Sequence, residues 1–173
     1  TSVTITQPSA VVASATAGSI SCNGGSTTVS VSATGGTLSY TGTGSFTASA
    51  GTSTCTVTDA NGCTSVTSVT ITEPTALVAS ASAGSIACNG GSTSVSVSAT
   101  GGTPSYTGTG SFTASAGTST YTVTDANGCS ATTSVTITQP SAVVASATAG
   151  SISCFGGSTT VSVSATGGTP SYT

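Results

Sequence analysis

A six-residue motif, TDANGC, occurs twice in the sequence and holds most of the side chains that could do chemistry. The first copy spans residues 58–63 and the second spans residues 124–129. Each copy brings an Asp, an Asn and a Cys together over a few positions. Such a set could bind a cation, form a reactive thiol site, or make a hairpin turn next to a disulfide.

The cation interpretation depends on the oxygen atoms of the motif. Its candidate calcium ligands are Asp59, Asn61, Asp125 and Asn127. Calcium takes about 6–8 oxygen ligands, commonly including several carboxylates, whereas each copy of the motif supplies one carboxylate. A zinc site needs roughly four ligands, and the chain has no His. We therefore expect no cofactor, with calcium at these turns as the alternative.

Catalysis would need groups that the sequence lacks. There is no Lys, Arg or His, and the only charged side chains are Asp59, Glu73 and Asp125. General acid–base catalysis uses a positioned His, Lys or carboxylate pair, and a nucleophilic Ser or Cys needs a neighbouring base. Glu73 has no evident partner in the sequence. We expect no catalytic residues and no enzyme activity.

The same composition limits the partners. Without cationic side chains the chain cannot neutralise phosphates, so we expect no nucleic-acid partner. No apolar run approaches the roughly 20 residues of a membrane-spanning helix, so we expect no membrane insertion.

The sequence repeats with a period of 66 residues. Cys22, Cys88 and Cys154 follow one another at that spacing, as do the residues around them. Repeats of this length set the domain organisation. The predicted divisions are the end of a preceding repeat (1–8), repeat one (9–74), repeat two (75–140) and a partial repeat three (141–173).

Short alternating segments separate the glycine-rich turns. In STSVSVSAT (92–100), Val95 and Val97 share one face and the serines the other, a period of two that predicts a half-buried strand. No sustained helical period is present. Several such strands per repeat predict an all-β chain of tandem Ig-like antiparallel β-sandwich repeats. A β-solenoid is the competing interpretation, although its rungs recur at shorter spacing.

The repeats are joined by ITEP and ITQP, which leave no long flexible linker, so we expect a stiff rod or filament. The residues predicted to form the core are Tyr40, Tyr106, Phe46, Phe112, Tyr121, Val123, Val135 and Ile137.

The structural interpretation of TDANGC is a hairpin corner. Asn61-Gly62 and Asn127-Gly128 are strong turn formers because both residue types tolerate positive φ. The preceding Asp can accept hydrogen bonds from the backbone of the turn.

Five cysteines recur in phase and are expected to form structural disulfides: Cys22, Cys63, Cys88, Cys129 and Cys154. Two pairings remain open. Either Cys22 joins Cys63 and Cys88 joins Cys129 within the repeats, or Cys22 joins Cys129 between repeats. Cys55 has no partner in phase and is expected to be a free thiol. Disulfides of either kind suit an oxidising compartment outside the cytoplasm.

The order CNGG, GGTPSY, DANGC and ITQP, at residues 88–91, 101–106, 125–129 and 137–140, resembles the SprB-type repeat of gliding and surface adhesins from bacteroidetes. The resemblance implies long secreted surface proteins made of many Ig-like modules, without catalytic residues. The chain departs from the pattern at Leu38, where GGTP has its Pro, and at Phe155, where the other repeats have Asn.

Together these features predict a structural extracellular protein: the passive, disulfide-stapled stalk of a cell-surface adhesin or secreted filament on a bacterial surface. Its expected partners are neighbouring repeats and, in a fibre, neighbouring copies of the same chain, because strand edges without charge invite pairing. The alternative is a calcium- or glycan-binding adhesive module, and a third interpretation is an ice-binding adhesin with threonine rows.

Overall fold

The computed structural model describes residues 1–173 and is all-β, with twelve strands and no helix. The strands are β1 (Val12–Ala17), β2 (Thr27–Thr34), β3 (Gly44–Ala48), β4 (Gly51–Thr58), β5 (Thr64–Ile71), β6 (Val78–Ala83), β7 (Ser92–Thr100), β8 (Gly110–Ser115), β9 (Gly117–Thr124), β10 (Ser130–Ile137), β11 (Val144–Ala149) and β12 (Val161–Thr166). None of its elements is a helix that could cross a membrane.

The chain divides into two compact units that are discontinuous in sequence. The first consists of Thr1–Val78, Thr100–Ser105 and Thr124–Ser130. The second consists of Ala79–Ala99, Tyr106–Val123 and Ala131–Thr173. The second TDANGC motif therefore belongs to the first unit.

The first unit contains the three-stranded sheet β1-β2-β3 and the two-stranded sheet β4-β5. β1 and β2, β2 and β3, and β4 and β5 pair antiparallel, the last pair from Gly51 opposite Ile71 to Thr58 opposite Thr64. The buried core draws side chains from both sheets and from the β1–β2 connection: Ile20, Val29, Val31, Val57 and Ile71. Two small sheets thus share one aliphatic core.

Alternation along the strands explains which side chains are inside. In β2, Val29 and Val31 are buried while Ser30 between them is exposed, and the Ser30 hydroxyl lies 3.2 Å from that of Ser45 on β3. Fully burying one such aliphatic side chain stabilises a fold by about 1.5–3 kcal/mol. A core of this size therefore depends on every member.

The second unit contains the sheets β6-β7-β8, β9-β10 and β11-β12. Its buried core is formed by Ile86, Val95, Val97, Val123 and Ile137. Each of these residues follows its counterpart in the first unit by 66 positions.

The prediction of core aromatics was wrong for two residues. Phe46 and Phe112 are 42% and 38% exposed. Both lie on an edge strand of a three-stranded sheet, β3 and β8, which has a paired neighbour on one side only. Phe112 packs against Tyr121 instead, with ring centroids 5.2 Å apart.

The other predicted core residues pack as follows. Val123 and Ile137 are buried. Four more are partly buried and pack against the cores: Tyr40 in the first unit, and Tyr106, Tyr121 and Val135 in the second.

Candidate functional site

The first TDANGC motif connects β4 to β5, and its residues 59–63 are called the first DANGC turn below. The Gly62 N–H donates to the Asp59 carbonyl at 3.0 Å, and the Asp59 N–H donates to the Cys63 carbonyl at 2.9 Å. Gly62 has φ +84°, whereas Asn61 keeps a negative φ. Only the glycine of the Asn-Gly pair therefore takes the left-handed conformation that both could tolerate.

The Asp59 carboxylate organises this turn from inside. Its Oδ1 accepts the N–H groups of Asn61 at 3.0 Å and Cys63 at 2.8 Å, and its Oδ2 accepts the N–H of Thr37 at 2.9 Å. The residue is only 6% exposed. A nearly buried carboxylate with three N–H donors is a well-satisfied charge, and it ties the turn to the chain around Thr37.

These hydrogen bonds shift the pKa of the two motif carboxyls. The Thr37 N–H is the largest cause that holds the pKa of Asp59 below its ordinary value, while burial acts in the opposite direction. The Thr103 N–H has the same effect on the pKa of Asp125. The hydrogen bonds that stabilise the charged form lower each pKa by more than burial raises it, so both groups are carboxylates at neutral pH.

A pair of glycines brings Thr37 within reach of Asp59. A Cβ atom on Gly36 would stand 2.6 Å from Asp59 Oδ2, and one on Gly35 would stand 2.0 Å from the Ala10 carbonyl oxygen. Both glycines also have positive φ. Only glycine fits this close approach, which explains why GGT precedes each DANGC turn at a fixed distance.

Residues 125–129, the second DANGC turn, repeat the geometry. Asp125 accepts N–H bonds from Thr103 at 2.8 Å, Asn127 at 3.0 Å and Cys129 at 2.9 Å. Gly128 again has φ +84°. In both turns the carboxylate holds backbone together, with the same donors at the same positions.

A disulfide joins Cys22 of repeat one to Cys129 of repeat two, with 5.7 Å between the Cα atoms and a sequence separation of 107. Beside it, the Asn127 side-chain amide donates to the Ser21 carbonyl at 3.0 Å. Both contacts lie within the first unit. Of the two pairings left open by the sequence, the structure has the one between repeats.

The pairing within repeats is wrong, and three cysteines predicted to be disulfide-bonded are free and exposed: Cys63, Cys88 and Cys154. The observed bond uses one cysteine of each within-repeat pair: Cys22 is the partner that this pairing gives to Cys63, and Cys129 is the partner that it gives to Cys88. Cys55 is also free, and it is half-buried in β4.

Glu73 has partners that the sequence did not reveal. Its Oε2 accepts the Gly24 N–H at 2.6 Å, and its Oε1 accepts the Asn23 side-chain amide at 3.1 Å. In repeat two, Gln139 Oε1 accepts the Gly90 N–H at 2.8 Å in the same way. The recurrence of an acceptor side chain before each Pro was the signal available in the sequence. In repeats one and two this hydrogen bond fastens the CNGG segment to the joint that ends the repeat.

The calcium candidates take part in hydrogen bonds that hold the two turns. The oxygens of Asp59 and Asp125 that a cation would need already accept N–H bonds, and Asn61 donates its side-chain amide to Thr37 Oγ1 at 2.9 Å. No group of three or more His, Cys, Asp or Glu side chains is placed to hold a metal ion.

No protein-family model matches the chain, and a search of curated proteins finds no match either. Inference of function therefore depends on the chain's own residues: the two DANGC turns, the disulfide between repeats and the composition.

Proposed function

We propose that the chain is a structural repeat protein that works outside the cell as the passive stalk of a surface adhesin or filament. The observation that carries this proposal is the disulfide between Cys22 and Cys129, which joins residues of two successive sequence repeats. A covalent bond between repeats helps the chain to resist tension.

Several features support the architecture that this role needs. Each unit builds its core from more than one small antiparallel sheet, as an Ig-like sandwich does. The strands β1, β6 and β11 begin 66 residues apart. A disulfide suits an oxidising compartment, and the resemblance to the SprB-type repeat, which implies secreted surface proteins, supports a bacterial surface. The rod shape and the surface location are part of the proposal.

In the proposed mechanism, the disulfide transmits tension past the residues that it encloses. Tension applied to the chain on either side of the stapled segment passes from Cys22 through the sulfur bond to Cys129, so the 106 residues between them carry no load. The non-covalent packing of the cores then has to resist tension only at the residues outside the enclosed segment. In the reduced chain the same tension acts on every strand pair in series.

Single-molecule stretching of the chain tests this mechanism. With both ends tethered, the reduced chain should extend further than the oxidised chain by roughly 350–390 Å, which is the 107-residue step at ~3.3–3.6 Å per residue. Cys63→Ser is the matched control, because it removes a free thiol and should keep the short extension. Equal extension of the oxidised and reduced chains would contradict transmission of tension through the disulfide.

Two further measurements address location and the main alternative. A membrane-impermeant label should reach the protein on intact source cells; labelling only after lysis would refute the surface location. A calcium chelator should leave the melting temperature of the purified chain unchanged. A lower melting temperature would favour a calcium-binding module over a passive stalk.

A further inference from the structure

The dipeptide Asn-Gly occurs four times, twice in CNGG segments and twice in DANGC turns. An Asn-Gly pair is open to an intramolecular reaction, in which the glycine nitrogen attacks the side-chain carbonyl carbon of the Asn and a cyclic succinimide forms. Glycine favours this reaction because it has no Cβ to hinder the attack and its backbone adopts many conformations. The contacts of each glycine N–H and each Asn amide therefore decide which pair reacts.

In repeat one a single carboxylate contacts both reacting groups. Glu73 Oε2 accepts the Gly24 N–H at 2.6 Å, and Glu73 Oε1 accepts the Asn23 side-chain amide at 3.1 Å. All three residues are exposed, so water reaches them. A Cβ atom on Gly24 would meet nothing within 4 Å, so the glycine has room to move. A carboxylate in this position can take a proton from the nucleophile and pass one to the leaving amine.

The other three Asn-Gly pairs divide these two groups between different acceptors. In repeat two the Gly90 N–H donates to the neutral Gln139 side chain at 2.8 Å, whereas the Asn89 amide donates to the Pro140 carbonyl at 3.0 Å. In both DANGC turns the glycine N–H donates to the main-chain carbonyl of the Asp, and the Asn amide donates to a threonine hydroxyl. The bridging carboxylate is thus particular to repeat one.

We propose that Asn23 is a self-modification site, at which Glu73 acts as the general base for cyclisation with the Gly24 nitrogen. The bond between Gly24 N and Asn23 Cγ forms, and the bond between Cγ and Nδ2 breaks. The Gly24 proton moves to Glu73, which returns a proton to the departing nitrogen, and ammonia leaves. Water then opens the succinimide at either carbonyl and gives Asp or isoaspartate. No electrons are transferred, and the event occurs once per chain, so it is not an enzyme activity.

The product weakens the joint that ends repeat one. The Asn23 amide donates to Glu73 and to the Pro74 carbonyl, each at 3.1 Å, and a carboxylate at this position can donate to neither. It also places a second negative charge beside Glu73, and like charges this close repel each other. The CNGG segment therefore loosens as the protein ages. This ageing process goes beyond the stalk function and does not depend on it.

The test incubates the purified, oxidised full chain at neutral pH in heavy-oxygen water. Opening of the succinimide then marks the product with heavy oxygen, so conversion during later handling in ordinary water is not counted. After reduction and cleavage after Phe and Tyr, Asn23 lies in fragment 1–40 and Asn89 in fragment 47–106. Mass spectrometry should show that Asn23 converts roughly tenfold faster than Asn89, less than a buried enzymatic base achieves because this site is exposed. Isoaspartate should be among the products.

Two exchanges between the repeats isolate the carboxylate. Glu73→Gln keeps an acceptor for the Gly24 N–H, as Gln139 does for the equivalent glycine, and should slow Asn23 to the rate of Asn89. Gln139→Glu should accelerate the conversion of Asn89. Because each exchange leaves the cysteines unchanged, the pair also separates the effect of the carboxylate from that of the disulfide next to Asn23. Both positions lie outside the strands, and melting temperatures of fresh samples will show that the variants fold.

Four results would each overturn the proposal: equal rates at Asn23 and Asn89, an unchanged Asn23 rate in Glu73→Gln, no acceleration in Gln139→Glu, or a product that is Asp alone. Asp alone would mean that water hydrolyses the amide directly, without attack by the Gly24 nitrogen. Any of these outcomes leaves the stretching experiment unaffected, because that experiment reads the disulfide.

Discussion

In the first DANGC turn Cys63 is a free, exposed thiol, whereas in the second Cys129 is bonded to Cys22. Around these sulfur atoms the two turns are alike: each Asp accepts three backbone N–H groups at 2.8–3.0 Å. The turn geometry is therefore a local property of the motif and its GGT partner, and it does not require the disulfide. The sulfur bond is an added constraint between repeats.

Removing the disulfide should have the largest effect. Cys22→Ser with Cys129→Ser should lower the free energy of unfolding by about 2–5 kcal/mol, toward the upper end because the bond closes a 107-residue loop. Cys63→Ser, at the equivalent position of the first turn, should change it by less than about 0.5 kcal/mol. Urea unfolding without reductant measures both. Equal losses would contradict a disulfide that is specific to the second turn.

Removing the carboxylate should have the next largest effect, and it should be the same in both turns. Asp59→Asn and Asp125→Asn each leave backbone N–H groups without their charged acceptor. Thermal unfolding should show two similar losses, each smaller than that from the missing disulfide. Amide hydrogen exchange at Thr37 and Thr103 should accelerate in the matching variant only. A harmless Asp59→Asn beside a damaging Asp125→Asn would show that the turn geometry depends on the sulfur bond.

Acid should weaken both turns in the same pH window. Because the folded-state pKa of each Asp lies below its ordinary value of 3.8, the stabilisation is fully present above that value and is lost as the pH falls through the lower folded pKa. Urea midpoints measured from pH 7 down to pH 2 should decline below about pH 4. The double variant Asp59→Asn with Asp125→Asn should remove most of this decline. A decline that persists unchanged in that variant would assign it to other groups.

The smallest predicted difference concerns the two asparagines. Asn61 and Asn127 both donate to a threonine hydroxyl, but only Asn127 also donates to the Ser21 carbonyl. Asn127→Ala should therefore cost about 0.5–1.5 kcal/mol more than Asn61→Ala, the usual net contribution of one hydrogen bond. Equilibrium unfolding of the two variants side by side gives the difference, and equal costs would mean that the Ser21 contact contributes no stability.

The strands were predictable because a period of two appears wherever one face of a strand is buried, as at Val95 and Val97. The role of Asp59 in its turn was also predictable from a short stretch of sequence, because Asx turns are formed by near neighbours in the chain. The exposure of Phe46 was not, because hydrophobicity does not tell an edge strand from a central one. Nor were the partners of Asp59 at Thr37 and of Glu73 at Gly24, because these contacts depend on how distant segments come together.

The sequence could not decide between the two cysteine pairings for a related reason. Both candidate schemes satisfy the 66-residue period equally, and only the three-dimensional path of the chain brings the Cα atoms of Cys22 and Cys129 within 5.7 Å. Spacing fixed which cysteines are equivalent, and the fold decided which of them meet.

The central claim, a disulfide between successive repeats, is tested most directly by a disulfide map of the monomeric chain. Free thiols are blocked, the chain is denatured and cleaved after Asp59 and Asp125, and the masses of the unreduced fragments are measured by mass spectrometry. We predict that fragment 1–59 is linked to fragment 126–173, with fragment 60–125 unlinked. Fragment 60–125 linked to both 1–59 and 126–173 would contradict it.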